Sequence, residues 1–137
     1  MFDITAVQTK LLADNPTYKV DITADLFTTT KYDDPSVPVI LINWPKIEPN
    51  DIKDCLDNNY SSYGTLLIGS LPVVIHCKQT DFLTVYNNIY ESLQFFSPVP
   101  ENSNYSNLVL LRGTPQLAPN NIIIYLTEWL YQFPRIV

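Results

Sequence analysis

The sequence predicts an α+β fold: a mixed, mostly antiparallel sheet packed by one long helix at about 80–96 and two shorter helices at about 4–13 and 50–60. Three observations predict it. Residues 18–26 alternate between apolar and polar side chains, the period of a strand with one buried face. Phe82, Tyr86, Ile89, Leu93 and Phe96 follow one another at spacings of 4, 3, 4 and 3, the stripe of an amphipathic helix. Runs rich in β-branched residues, among them 37–44 and 71–78, read as further strands. At 137 residues, with no internal repeat and no linker, the chain is expected to form a single α+β domain over 1–137.

The elements follow in order from local pattern. Ile4, Val7, Leu11 and Leu12 lie on one face of a short helix that Asp3 or Thr5 caps and Asn15-Pro16 ends. The alternating strand from Tyr18 is expected to continue through the threonines at 28–30 and to close in a turn at 33–36. Residues 37–44, VPVILINW, are apolar on both faces and read as a buried strand that Pro45 stops. Glu48-Pro49-Asn50-Asp51 reads as a helix start, with acids at the positive end and proline in the first turn. Ile52, Cys55, Leu56 and Tyr60 form the stripe of that helix, and Gly64 ends it.

Residues 65–70 and 71–78 read as two strands with a break at Gly69-Ser70. Thr80 or Asp81 is the natural cap of the long helix, Val85 and Tyr90 widen its stripe, and Pro98 limits it. A polar connection over 98–106 leads to a strand over 107–113, with Gly113 marking its end, and then to a turn-rich link. Residues 122–133 fit two patterns. Ile122, Leu126, Trp129, Leu130 and Phe133 form a helical stripe, whereas Ile-Ile-Ile-Tyr and the aromatic density favour a strand. We read a strand, apolar on both faces.

Charged residues make up 16% of the chain, against about 25% in ordinary soluble domains. Twelve asparagines and nine tyrosines then suit an uncharged polar surface, or one buried against partners, since interface cores are poor in charge and rich in aromatics. The net charge is −6 and the basic residues are scattered, which argues against specific nucleic-acid binding and suits a basic partner. The N-terminus lacks the apolar run of a signal peptide, and no run approaches the roughly 20 residues of a membrane span. A soluble protein of a reducing cytoplasm is expected.

Residue types that carry chemistry are few. His76 is the only histidine and reads as a partly exposed strand residue on the face opposite Cys77. A general base at His76, or a Cys77 nucleophile, lacks the companions such chemistry needs. Cys55 and Cys77 read as small buried hydrophobes. Glu48, Asp51, Asp54 and Asp57 read as a solvated acidic helix face, and Asp33-Asp34 lacks the spacing of a calcium loop. No catalytic, cofactor-binding or metal-binding residue is assigned. Tyr125, Trp129, Tyr131 and Phe133 are the candidate interface, an aromatic row whose simpler reading is core packing.

The stretch VVIHCKQTDFLTVYNNIYESL, a strand entering directly into a helix, is followed by NLVLLRGTPQLAPNNIIIYLTEWLYQF, a closing hairpin-like pair. With the element order before them, these stretches resemble the small neck and tail-completion proteins of tailed bacteriophages, including tail terminators. The resemblance covers roughly residues 64–133 by pattern. It implies a non-enzymatic structural protein of the virion, assembled in the host cytoplasm as a homo-oligomeric ring at the head–tail junction or tail end. Its implied partners are copies of itself and neighbouring virion proteins, without cofactor, small-molecule substrate, membrane or specific nucleic acid. An acidic lumen would let DNA pass, and the first helix and the loops at 28–36 and 98–106 would make the contacts. Two other readings stand beside it: a non-enzymatic adaptor or regulatory domain that binds by strand addition or through its aromatic face, and a small enzyme using His76.

Overall fold

Two strands of equal length frame the sheet. Leu66–Lys78 and Ile122–Pro134, 13 residues each, pair antiparallel from Leu66 opposite Pro134 to Lys78 opposite Ile122. The computed structural model describes residues 3–23, 36–49, 66–98, 107–117 and 121–134. In chain order the elements are α1 (Ile4–Asp14), β1 (Lys19–Ile22), β2 (Val39–Ile42), β3 (Lys46–Pro49), β4 (Leu66–Lys78), α2 (Phe82–Leu93), β5 (Val109–Leu117) and β6 (Ile122–Pro134). A short 3-10 turn, Gln79–Asp81, joins β4 to α2.

The strand order is β1-β2-β4-β6-β5. β1 runs parallel to β2, and the other pairs are antiparallel. β2 and β3 share one side of β4: β2 lies against Val73–His76 and β3 against Leu67–Ser70, with Asn43–Pro45 between them. The Asn43 N–H donates to the Pro72 carbonyl at 3.2 Å and carries the register across that gap.

Alternation sorts the sheet into two faces. One bears Leu71, Val73, Ile75 and Cys77 of β4 with Trp129 and Tyr131 of β6, and the two helices pack there through Ile4, Val7, Leu11, Val85, Ile89 and Leu93. The opposite face has its own buried group, Val39, Leu41, Val74 and Ile124. α1 starts at Asp3, whose carboxylate accepts from the Thr5 N–H at 2.9 Å. The Thr5 side-chain and backbone hydrogen bonds hold that carboxyl below its ordinary value. Asn15 ties the end of α1 to α2: its Nδ2 donates to the Leu11 carbonyl at 3.2 Å and to Ser92 Oγ at 3.3 Å.

The helix arrangement differs from expectation. In place of one long helix with two shorter ones, the described residues hold two helices of near-equal length, 11 and 12 residues. α2 stops at Leu93 rather than near residue 96 because Gln94 turns to extended geometry and Phe95 takes a positive φ of 65°. Its entry is the 3-10 turn, and the Asp81 side chain makes no capping hydrogen bond. The body of the expected 50–60 helix lies outside the described residues, and its supposed start, Glu48-Pro49, runs in β3.

The expected break at Gly69-Ser70 is absent. Gly69 lies directly opposite Tyr131 in the ladder, and a Cβ at Gly69 would overlap the Tyr131 ring. The glycine thus makes room for an aromatic ring and leaves β4 continuous, an arrangement known for pairing glycine with an aromatic across strands. Gly113 likewise sits under the Tyr125 ring within β5 rather than at its end. The alternation at 18–26 yields a described strand of only four residues. Residues 122–133 are strand, not helix.

Candidate interaction surface

β6 carries the aromatic row, and its pairing on both sides decides what each ring touches. Trp129 is 1% exposed; its indole Nε1–H donates to Thr127 Oγ1 at 2.9 Å, and that hydroxyl donates to the Val73 carbonyl at 2.7 Å. A buried indole needs such a polar partner. Tyr131 is also 1% exposed and lies over Gly69. These two rings belong to the chain's own core. Phe133 stands opposite Leu67 near the end of β6.

Tyr125 is half-buried and reaches the space between α2 and β5. Its ring centroid lies 4.7 Å from Phe82 and 5.9 Å from Tyr86, edge-on to the latter. Tyr90, one helical turn beyond Tyr86, meets Trp129 at 6.4 Å. Burial pushes the Tyr86 phenol above its ordinary value, and the neighbouring Tyr125 and Tyr90 phenols push it further. A strip of aromatic rings thus lines the junction of α2 with the outer strand.

Among the described residues, the large exposed apolar side chains include none of the candidate interface, and two of them, Leu12 and Tyr90, are expected from the sequence on the apolar stripes of their helices. Phe95 is 67% exposed and Trp44 is 65% exposed. Leu83 of α2 is 73% exposed, and Tyr90, Val109 and Leu111 are exposed in part around α2 and β5. Phe95 carries a second cost: a left-handed backbone at a non-glycine residue is unfavourable by about 1–2 kcal/mol. A signal for it existed. Phe95 falls outside the spacing of 4, 3, 4 and 3 that carries the stripe to Phe96. Trp44 reads as part of a buried run, yet it falls in the break between β2 and β3, its N–H held by Asn43 Oδ1 at 2.8 Å.

The two outer strands, β1 and β5, each make one edge hydrogen bond with a glutamine. In β1, the Lys19 and Thr23 N–H groups donate to Pro38 and Ile42 of the β2 side, so the Val20 backbone faces outward. Gln8 Nε2 donates to that outward Val20 carbonyl at 2.8 Å. At the other edge, Gln94 Oε1 accepts from the Leu110 N–H at 3.0 Å. Leu108 exchanges backbone hydrogen bonds with Phe95 and Phe96, at 2.8 and 2.9 Å. Irregularities between Leu110 and Arg112 and between Pro115 and Leu117 disturb the rest of β5. Short edges, bulges and proline are how sheets resist unwanted strand addition.

His76 is 1% exposed, not partly exposed as expected. It pairs with Val39 on one side and Ile124 on the other, both in the second buried group, so it lies on a covered face of the sheet. Cys77 points to the helix-covered face; burial, aided by the Asp81 charge, pushes its thiol up to about 12. Neighbours in a strand face opposite ways, so the two groups do not meet. Asp51, Asp54, Asp57, Asp33, Asp34 and Cys55 lie outside the described residues. Among the described residues no cluster of three or more His, Cys, Asp or Glu is arranged to hold a metal ion. No helix among them is long and apolar enough to cross a membrane.

No family model matches the chain, and no curated protein matches it in sequence. In fold, the chain is similar to one in a solved structure, the virion of a native gene transfer agent (GTA) particle. The TM-score is 0.58 at 9% sequence identity, and the match covers 96% of this chain and 93% of that one.

Proposed function

We propose that this chain is a structural virion protein of a phage-like particle, one of many copies forming a ring at the head–tail junction or tail end. One observation carries the reading: the fold of a GTA virion chain is shared almost end to end, with 96% and 93% of the two chains covered. Low charge and exposed aromatics support it, because an assembled subunit hides much of its outside. Its partners are further copies of itself and neighbouring virion proteins, and its role is non-catalytic. The glutamine bonds to β1 and β5 and the irregularities of β5 make those two edges poor templates for strand addition, and so favour contacts through side chains and loops. Light scattering of the purified protein over a wide concentration range, with negative-stain imaging, tests this. A mass that is a fixed multiple of 15.7 kDa, with annular particles, is expected. A strict monomer at the highest concentration would sink the ring.

A further inference from the structure

Sequence and structure end α2 at different places, and residues 94–96 make the difference. Phe82, Tyr86, Ile89, Leu93 and Phe96 keep helical spacing, and nothing in Gln94-Phe95-Phe96 breaks a helix. Pro98 sets the far limit, because it disfavours helical geometry at Ser97. The helix stops at Leu93 instead. Gln94 turns extended, and Phe95 takes the left-handed position that helix ends commonly give to glycine.

Two sets of hydrogen bonds compete for this stretch. As folded, the Phe95 N–H donates to the Leu108 carbonyl at 2.8 Å, and the Leu108 N–H to the Phe96 carbonyl at 2.9 Å. The Leu110 N–H donates to Gln94 Oε1 at 3.0 Å. A continued helix would turn the Phe95 and Phe96 N–H groups to the carbonyls of Glu91 and Ser92. It would take Phe95 out of its positive φ. The stripe spacing would keep Phe96, which packs half-buried against the core, on the covered side of α2. What is given up is the tie to β5, the outermost strand on that side of the sheet. Eleven residues, 97–107, separate Phe96 from Leu108, so chain length does not forbid the exchange.

We propose that residues 94–96 are a two-state joint. In one state they clamp the start of β5. In the other they extend α2 to Phe96 and leave the Leu108 and Leu110 backbone groups of the outer strand uncovered. The joint works within one chain, so it stands independently of the self-assembly reading.

Amide exchange on the full chain, on Phe95→Gly and on Phe95→Ala tests it, with the β4–β6 ladder as internal standard. The amides of Phe95, Leu108 and Leu110 should open together and faster than those of the ladder. Glycine enters positive φ freely and disfavours helix, so Phe95→Gly should slow all three about tenfold. Alanine favours helix, so Phe95→Ala should speed them about twofold. In Phe95→Ala, saturation-transfer NMR should find a minor state with helical Cα shifts at positions 95 and 96. Exchange of the three amides at the ladder's rate overturns the joint, and so does an unchanged rate in Phe95→Gly. Random-coil shifts in the minor state, or no minor state in Phe95→Ala, overturn it too.

Discussion

Tyr131 and Tyr125 each lie over a glycine, yet the two sites differ in how freely the ring can move. Tyr131 is enclosed, so a methyl group at Gly69 has nowhere to send it; Tyr125 is half-buried and can swing outward. Gly69→Ala should destabilise the fold by about 1–3 kcal/mol, the range for overpacked cores, and Gly113→Ala by less. Urea unfolding of the two variants measures the difference, and equal losses would count against this account. Cys77 gives a pH signature. Its ordinary pKa is 9.0 and burial raises it to about 12, so above pH 9 the unfolded chain releases a proton that the folded chain keeps. Stability should fall between those values, by up to about 1.4 kcal/mol per pH unit from this group. In Cys77→Ala that component disappears, so the alkaline slope of stability should flatten relative to wild type; parallel slopes would refute it. Little of this was legible in the chain. Gly69 looks like a break because the ring that needs its space lies some sixty residues further on. His76 looks half-exposed because alternation says which face a residue takes, not whether that face is covered.

At the scale of elements, local periodicity was informative where one face is buried by the chain's own core. The positions Ile4, Val7 and Leu11 of α1, and Val85, Ile89 and Leu93 of α2, are its buried faces. Where the reading failed, a backbone event overrode the pattern: Phe95 ends α2 early, and β3 takes residues whose acids and proline suggested a helix. The edge caps were hidden because Gln8 and Gln94 are ordinary helix-surface residues until the fold aims them at a strand. Gln94→Ala should leave the Leu110 N–H without its 3.0 Å acceptor. Amide exchange at Leu110 should then speed up at least tenfold, while amides of the β4–β6 ladder keep their protection. Unchanged exchange at Leu110 would show that the glutamine does not protect that edge. The same variant should associate more readily on prolonged heating, since an uncovered edge is a template for another strand.

For the whole molecule, the candidate site was only partly visible in sequence. The aromatic row of β6 is visible in the sequence as a row, but Trp129 and Tyr131 complete the core, whereas Phe95 and Trp44 reach the outside. Hydrophobicity alone does not separate these roles; the strand break and the early helix end do. The mass measurements described above belong to this scale, because they ask whether copies meet through the surface that the fold leaves apolar. The full-length pairing of β4 with β6 also sets a timetable. β4 is complete at Lys78, but its partner begins only at Ile122. At a synthesis rate of about 5–20 residues per second, the central strand waits several seconds on the ribosome with one flank unmatched. The glutamine that guards the outer edge of the finished sheet cannot help it then. During that interval a chaperone, or a nearby nascent chain of the same protein, competes for the place that β6 will later fill.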